Sequence, residues 1–484
     1  MFPYQNPELP VEERIDDLLA RMTIEEKILQ TDQYGSSDFT TQDENGRVTA
    51  LDMGRFDEIM QHNSVGSVQL RGTTAAQANI VQRYAMENTR LGIPYLFSEE
   101  ALHGFCSSKA TSFPQQIGLA ATFDPSLGRE MGHAIASEAR ACGVHETYSP
   151  VMDLIRDPRY GRGEESYGED THLCAEFARE TVLGLQGSSL ADPDAVASEP
   201  KHYVGYGNPV GGLNCAPSTM GRHDVFSDCL PVFEAAFVDG KASDAMCSYN
   251  SIDSIPVSMD HEILTDVLRG QYGMPGFVRS DLTAVSRLYD WHFIAETPEE
   301  AIRMGMEAGV DLQLYDFPHE VWQGSIANLV KSGKMSMSVL DTACRRVLRM
   351  KFLLGLFEHP YTDETRAESL LRCPEHLAIA KKIAQKSLTI FAGLAIISCC
   401  LNRHAAQPAR RRAVWLSVLR RQPFPMAIIP RAAAARAPFR CWTACVPRSP
   451  RKPRSFMPGA ATSWDRLCTP LIPVCCGMRT AAMA

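Results

Sequence analysis

Short apolar runs alternate with longer amphipathic stretches between about residues 60 and 355. The short runs have the length of buried strands, whereas the longer stretches repeat apolar residues at helical spacing. Eight runs predict strands: Val65–Leu70, Ile93–Ser98, Ile117–Thr122, His145–Met152, Val196–Tyr206, Asp244–Tyr249, Gly276–Asp281 and Gly309–Leu314. The segments between them predict helices: Thr74–Arg90, Pro125–Arg140, Thr171–Leu185, Phe226–Asp239, Met259–Gln271 and Pro298–Glu307.

This alternation of strand and helix favours a mainly parallel sheet with right-handed crossovers. Eight strands in this order predict an α/β fold of the (β/α)8 TIM-barrel type, and an open doubly wound sheet is the alternative that the pattern leaves. Two further helices are predicted at Met335–Phe352 and Pro374–Lys386, on either side of a linker at 355–368.

The charge of the chain is unevenly distributed. The net charge of −9 divides into −23 over residues 1–390 and +14 over residues 391–484. The acidic part argues against a nucleic-acid partner. Residues 391–484 contain 11 prolines, 7 cysteines and no Glu, and they sustain no helical or strand period. We interpret them as a poorly structured basic tail, either out-of-frame translation or, as the alternative, a binding arm.

The N-terminal sequence has neither a basic stretch nor an apolar core typical of a secretion signal. No run approaches the ~18 consecutive apolar residues of a membrane span. We therefore expect a cytoplasmic protein with reduced cysteines and no membrane partner. The acids and histidines lack the spacing of metal ligands, so neither a metal nor another cofactor is expected.

Polar clusters follow five of the predicted strands. In a parallel barrel the carboxyl ends of the strands open onto one face, so these clusters should share a rim. Carboxylates and cations together bind vicinal hydroxyls, and a carboxylate stabilises positive charge at a carbon. The pattern indicates a polyhydroxylated substrate, such as a glycoside or oligosaccharide. The clusters are Ser98–Gly104, Arg156–Glu165, Lys201–Tyr203, Tyr249–Asn250 and Arg279–Asp281.

The same segments resemble the motifs of glycoside hydrolase family 3, the β-glucosidase and β-xylosidase group, in the family's order. They read GIPYLFSEEALHG (92–104), RDPRYGRGEESYGED (156–170), KHYVGYG (201–207), DAMCSYN (244–250) and GFVRSD (276–281). The resemblance runs from about residue 10 to 388. It implies an N-terminal barrel domain at 1–355, a linker and the start of a C-terminal α/β-sandwich domain at 356–390, and a divergent tail at 391–484.

The resemblance implies hydrolysis of terminal non-reducing β-D-glycosyl residues, glucosyl above others, with retention of configuration. Asp281 matches the family nucleophile that forms the covalent glycosyl-enzyme. Glu99, His103, Arg159 and Glu165 are expected to be structural neighbours. The positions that match substrate-binding residues or supports of the nucleophile are Glu100, Arg162, Lys201, His202, Arg222 and Tyr249.

Two departures from the family pattern affect the predicted activity. Leu282 stands where many members have Trp, which changes one wall of the predicted sugar site. No counterpart of the acid/base Glu of the family's second domain is found, and the Asp–His pair of the N-acetylglucosaminidase branch is missing after Lys201 and His202. We therefore expect feeble cleavage of ordinary glycosides. The alternatives are a non-catalytic carbohydrate-binding barrel and, less favoured, a lyase with a Schiff base on Lys201.

Overall fold

Seven short parallel strands form the centre of the molecule. A computed structural model of the chain describes residues 2–42 and 48–388. The central strands are β1 (Gln33–Gly35), β2 (Ser67–Gln69), β3 (Leu96–Glu99), β4 (Glu146–Thr147), β5 (Ala197–Ser198), β6 (Ala245–Met246) and β7 (Val278–Arg279).

The strands close into a ring with an eighth extended segment at Leu312. Strands β1 to β5 pair in that order, and β6 pairs with β7, all in parallel. Asp244 N donates to Ser198 O at 3.3 Å, which joins β6 to β5. Arg279 forms a parallel bridge with Leu312. Gln313 N then donates to Thr31 O at 3.1 Å, just before β1, which closes the ring. The predicted (β/α)8-type barrel is confirmed, and the open sheet is wrong.

One predicted strand is wrong, and one strand of the observed barrel was not predicted. The apolar run Ile117–Thr122 contains the helix Gln116–Ala120 instead of a strand. A short apolar run does not by itself distinguish a buried helix from a buried strand. The unpredicted barrel strand is β1, whose residues Gln33, Tyr34 and Gly35 form no apolar run, although all three are buried.

Helices surround the barrel, and most lie close to their predicted positions. Thr74 begins one of them, because its side chain accepts a hydrogen bond from Gln77 N. The helices around the barrel are Ala75–Asn88, Ser126–Ala141, Thr171–Gln186, a mixed α and π segment from Arg222 to Asp239, the π-helix Glu262–Gln271, Pro298–Ala308, His319–Lys331 and Met337–Leu353. Other helices are Val11–Arg21, Ile24–Leu29, Met53–Met60, Arg287–Asp290, Arg366–Leu370 and Pro374–Lys386.

Two small antiparallel pairs and several single 3₁₀ turns complete the described elements. The pairs are Thr40–Gln42 with Val48–Leu51, and Ser251–Ile252 with Ile255–Pro256. The turns are Pro3–Gln5, Ser36–Asp38, Gly163–Glu165, Val210–Gly212 and Val257–Met259. Within the described ranges, every helix is too short or too polar to traverse a bilayer.

The helix Pro374–Lys386 packs against the outside of the barrel. His376 Nδ1 lies 2.8 Å from the buried carboxylate of Glu138. Lys382 and Lys386 pair with Glu130 and Asp124 at 2.7 and 2.6 Å. The predicted domain boundary at residue 355 stays a prediction, and the predicted tail at 391–484 lies outside the described residues.

The interior of the barrel contains charged side chains where a purely apolar core would be usual. Arg279 is fully buried, and its guanidinium donates to Glu199 Oε2 at 2.9 Å and also to Glu146 and Gln33. Burial raises the pKa of Glu146 to about 7 and that of the neighbouring Asp244 to about 8. Between about pH 4 and these pKa values, the two carboxyl groups therefore hold protons in the folded state that an unfolded chain would release.

This interior predicts that the free energy of unfolding falls as the pH rises. The contribution of Glu146 and Asp244 is complete below about pH 4, where the unfolded chain also holds these protons. It is lost as the pH rises through the folded pKa values of about 7 and 8. We expect a lower urea midpoint at pH 8.5 than at pH 5.5. The isosteric variant Asp244→Asn should show a smaller drop, and an equal or higher midpoint at pH 8.5 in the unmodified chain would contradict the prediction.

Candidate active site

Asp281 lies at the carboxyl end of β7 and is held through one of its two carboxylate oxygens. Tyr249 Oη and the backbone N–H of Leu282 donate to Asp281 Oδ1 at 2.8 and 2.7 Å. Burial, followed by the charge of Asp281, raises the pKa of the Tyr249 phenol, so the phenol keeps its proton and donates it. Only 6% of Asp281 is exposed, so its carboxylate is fixed in a largely desolvated position.

The second oxygen, Asp281 Oδ2, has no hydrogen-bond partner among the described residues. His202 Nε2 lies 3.4 Å away, but it accepts a hydrogen bond from Arg162 Nη2 at 3.0 Å and so carries no proton to share. Burial, followed by the charge of Arg162, lowers the pKa of His202 well below its usual value, which keeps the ring neutral. A buried oxygen left without a donor is rare and calls for an explanation. Here it leaves one carboxylate oxygen free to react.

Glu100 and Lys201 form a second part of the site, at the carboxyl ends of β3 and β5. Lys201 Nζ donates to both carboxylate oxygens of Glu100, at 3.0 and 2.8 Å. Lys201 is buried, whereas 39% of the Glu100 side chain is exposed. The carboxylate therefore has accessible lone pairs for hydroxyl groups, held in place from behind by the ammonium.

Glu99 lies next to this pair but points into the protein. Its Oε1 accepts hydrogen bonds from Gln69 Nε2 and from Glu100 N, at 3.1 and 2.8 Å. Burial raises the pKa of Glu99 to about 7. The structure agrees with the expectation that Glu100 is the accessible acid and Glu99 its neighbour.

The loop from 156 to 170 holds Arg162 over the same mouth. Its guanidinium donates to Glu165 Oε2 from Nε and Nη2, at 3.0 and 2.8 Å, as well as to His202. Arg159 points away and pairs with Asp157 at 2.7 Å. His103 packs within its own loop, with Nδ1 at 3.0 Å from Phe113 O. Glu165, Arg159 and His103 therefore make the structural contacts expected of them.

Arg222 is the predicted site residue that the structure does not bring to this cluster. Its guanidinium pairs with Glu262 and lies over the Phe226 ring at 4.4 Å, and about half of the side chain is exposed. Arg222 lies in the long segment between β5 and β6, far in sequence from either strand end. Its predicted role in substrate binding has no support from its contacts.

Arg279, from the predicted rim cluster, lies in the barrel interior.

Two residues of the site escaped prediction as functional side chains. Asp153 Oδ2 lies 2.7 Å from His202 Nδ1, and both side chains are buried. Tyr206 packs its ring 5.0 Å from the His202 ring and 5.5 Å from that of Tyr249, measured between centroids. The position of Asp153 directly after a predicted strand could have indicated a functional residue. Its apolar neighbours Met152 and Leu154, however, are typical of a core segment.

Comparison with known families gives the family of the chain. The model of the glycosyl hydrolase family 3 N-terminal domain matches residues 23–350. The chain belongs to glycosyl hydrolase family 3. In this family 3 chain, Tyr249 and His202 lie beside Asp281 and Arg162 contacts His202, whereas Glu100 and Lys201 pair with each other at the same end of the barrel.

Relatives of this family 3 chain cover most of its length. A putative β-xylosidase of Formosa agariphila is 34% identical over 80% of this chain and 52% of its own length. A periplasmic β-glucosidase of Salmonella typhimurium is 32% identical over 78% of this chain and 47% of its own length. The structure of a Listeria innocua β-glucosidase in complex with glucose superposes with a TM-score of 0.69, at 33% identity, over 78% of this chain and 51% of that one. The chain spans about half the length of the curated relatives it matches.

Proposed function

We propose that this barrel hydrolyses terminal non-reducing β-D-glucosyl residues with retention of configuration, through a covalent glycosyl-enzyme on Asp281. The observation that carries the proposal is the free Oδ2 of Asp281 beside a fixed Oδ1. The relatives are named as β-glucosidases and β-xylosidases, and one of their structures holds glucose. Both sugars offer an anomeric carbon and equatorial hydroxyls to such a site.

In the proposed reaction, Asp281 Oδ2 attacks the anomeric carbon as the bond to the leaving oxygen breaks. The leaving oxygen takes a proton from solvent. Water then attacks the same carbon from the opposite face, gives a proton to solvent and releases Asp281 as a carboxylate, so that two inversions give net retention. Tyr249 and Leu282 N hold Oδ1 in place and fix the direction of the attacking oxygen. The accessible carboxylate of Glu100, backed by Lys201, is placed to accept hydrogen bonds from sugar hydroxyls.

Retaining enzymes also need a second carboxyl group to protonate the leaving oxygen. In the described cluster the other carboxylates already have partners. Glu100 pairs with Lys201, Glu165 with Arg162, and Asp153 with His202. We therefore assign the nucleophile, but no general acid, to these residues, and we propose that glycosides with good leaving groups react far better than alkyl glycosides.

The same contacts disfavour the lyase alternative. A Schiff-base lysine needs a free amine in an apolar pocket. The Lys201 ammonium donates to both oxygens of Glu100, so it has the contacts of an ion pair. A cytoplasmic location stays a prediction, and the Salmonella relative is named as periplasmic.

The proposal is tested by covalent trapping. 2-Deoxy-2-fluoro-β-D-glucosyl fluoride has a leaving group that departs without an acid, so the test addresses Asp281 alone. We expect one fluoroglucosyl adduct per chain and, after proteolysis, its mass on the peptide that contains Asp281. The 2-fluoroxylosyl analogue, at equal concentration, compares the two sugars. An intact chain without an adduct, or with the adduct on another residue, would contradict the proposal.

A further inference from the structure

Asp153 lies directly behind the imidazole of His202 and is buried, with 3% of its surface exposed. Its Oδ2 is 2.7 Å from His202 Nδ1, and its Oδ1 accepts from the backbone N–H of His202 at 3.3 Å. The backbone of this segment is fixed as well, because Val151 forms a parallel bridge with Lys201. One carboxylate thus holds both the main chain and the side chain of His202.

These contacts leave His202 a single neutral tautomer. Arg162 Nη2 can only donate, so His202 Nε2 must accept from it at 3.0 Å and carries no proton. The proton of the neutral ring is then on Nδ1, where it is donated to Asp153 Oδ2. The imidazole is therefore an acceptor toward the site and a donor toward the interior.

This tautomer determines what the nucleophile meets. The atom of His202 that lies 3.4 Å from Asp281 Oδ2 is Nε2, which presents no N–H. A proton at that position would be donated to Oδ2 and would stabilise the carboxylate in the ground state. Because Oδ2 accepts no hydrogen bond, its negative charge is not stabilised by a donor. Attack on the anomeric carbon therefore does not have to break such a bond.

We propose that Asp153 is a positioning residue that fixes the Nδ1–H tautomer of His202 and so keeps the attacking oxygen of Asp281 free of hydrogen bonds. Asp153 acts through His202 and does not touch the sugar. The kinetic part of this proposal rests on the proposed glycosidase function, whereas the tautomer itself does not.

The variant Asp153→Asn tests the role with little change of shape. An amide N–H in place of Oδ2 donates to Nδ1 and favours the tautomer with its proton on Nε2. A proton on Nε2 faces both the N–H of Arg162 and Asp281 Oδ2. It weakens the contact of His202 with Arg162 and forms a new hydrogen bond to Asp281 Oδ2. We expect the rate of labelling by the fluoroglucosyl fluoride to fall on the order of 10- to 100-fold, the scale of loss seen when the partner that orients a metal-binding histidine is replaced. Reversible binding of glucose should change less.

The tautomer can be measured without turnover. In protein labelled with ¹⁵N-histidine, the nitrogen chemical shifts distinguish a protonated from an unprotonated ring nitrogen, and the variant His202→Gln identifies the signals. We expect Nδ1–H in the unmodified chain and Nε2–H in Asp153→Asn. Nε2–H in the unmodified chain would overturn the proposal, even if Asp281 is labelled. If the tautomer is as expected but the unmodified chain is not labelled at Asp281, the proposed function is wrong and the tautomer assignment stands.

The pH dependence of labelling gives an independent readout. Burial raises the pKa of Asp153 to about 7, while the nearby charges of Arg162 and Lys201 act in the opposite direction. Tyr160 and Cys229 also face this carboxylate, and both are neutral near pH 7 because burial raises the pKa of each. Protonation gives this carboxyl group an O–H that can donate to Nδ1 and so favours the tautomer of His202 with its proton on Nε2. The labelling rate should therefore fall as the pH drops below about 7.

This acidic decline should be missing from Asp153→Asn, which has no proton to gain at that position. The matched control is Asp157→Asn, four residues further along the chain, where the carboxylate pairs with the exposed Arg159 and makes no contact with His202. We expect the control to keep both the rate and the decline. An unchanged decline in Asp153→Asn would contradict the proposal, as would equal rate losses in the two variants.

Discussion

The variant Asp281→Asn will lose covalent labelling by the fluoroglucosyl fluoride, with a fall in rate of at least about 10⁴-fold, the scale seen when a nucleophile is removed. The amide keeps the size of the carboxylate and can still accept from Tyr249 and Leu282 N through one oxygen. It has no negative oxygen for the anomeric carbon, so the glycosyl-enzyme cannot form. Intact-protein mass spectrometry over time measures the loss directly.

The control for this variant lies in the same rim segment. Asp290 is an exposed aspartate nine residues after Asp281, so Asp290→Asn makes the same chemical change outside the cluster. We expect unchanged labelling in the control and an unchanged unfolding midpoint in both variants. Continued labelling of Asp281→Asn at the same site or elsewhere would disprove the assignment of the nucleophile.

The variant Arg279→Met will lower the free energy of unfolding by roughly 3–5 kcal/mol, the usual cost of removing one partner of a buried ion pair. Methionine fills much of the volume but leaves Glu146 and Glu199 without the cation between them. Both glutamates are fully buried, so water cannot replace the guanidinium. Urea unfolding followed by circular dichroism at pH 7 gives the difference in free energy.

Two further variants give this result its meaning. Arg303→Met removes a cation from a partly exposed helical pair with Glu307, and we expect a change within about 0.5 kcal/mol. The double variant Arg279→Met with Glu199→Gln should be more stable than Arg279→Met alone, since an amide replaces one of the two buried acids left without a cation. A loss below about 1 kcal/mol in Arg279→Met would show that the ionic interior is not important for stability.

The barrel could be predicted from the sequence because most of its strands are apolar and its helices amphipathic. The helix Pro374–Lys386 even has its predicted bounds, since Pro374 starts it at a position that proline favours. Strand β1 could not be found in this way, because Gln33 is buried for its hydrogen bonds to Arg279 and Tyr148. A polar interior removes the hydrophobic signal from the strand that lines it.

The site could be predicted only as far as its residues follow strand ends. Lys201, Tyr249 and Asp281 do so, and the barrel topology brings them to one mouth. Arg222 depends on the course of a long connection, which neither periodicity nor strand order determines. The role of Asp153 depends on which nitrogen of His202 faces Asp281, and such a detail appears only once both side chains have positions.

Arg279 in β7 and Asp281 just beyond its end are two residues apart, and this links the assembly of the barrel to its chemistry. Arg279 points inward to two glutamates, and Asp281 reaches the mouth just beyond it. A shift of one residue in strand pairing would turn Ser280 inward in place of Arg279. Glu146 and Glu199 would then lose their cation. The buried guanidinium of Arg279 thus favours one register of β7 in the barrel. This register determines how far Asp281 extends into the mouth before any ligand binds.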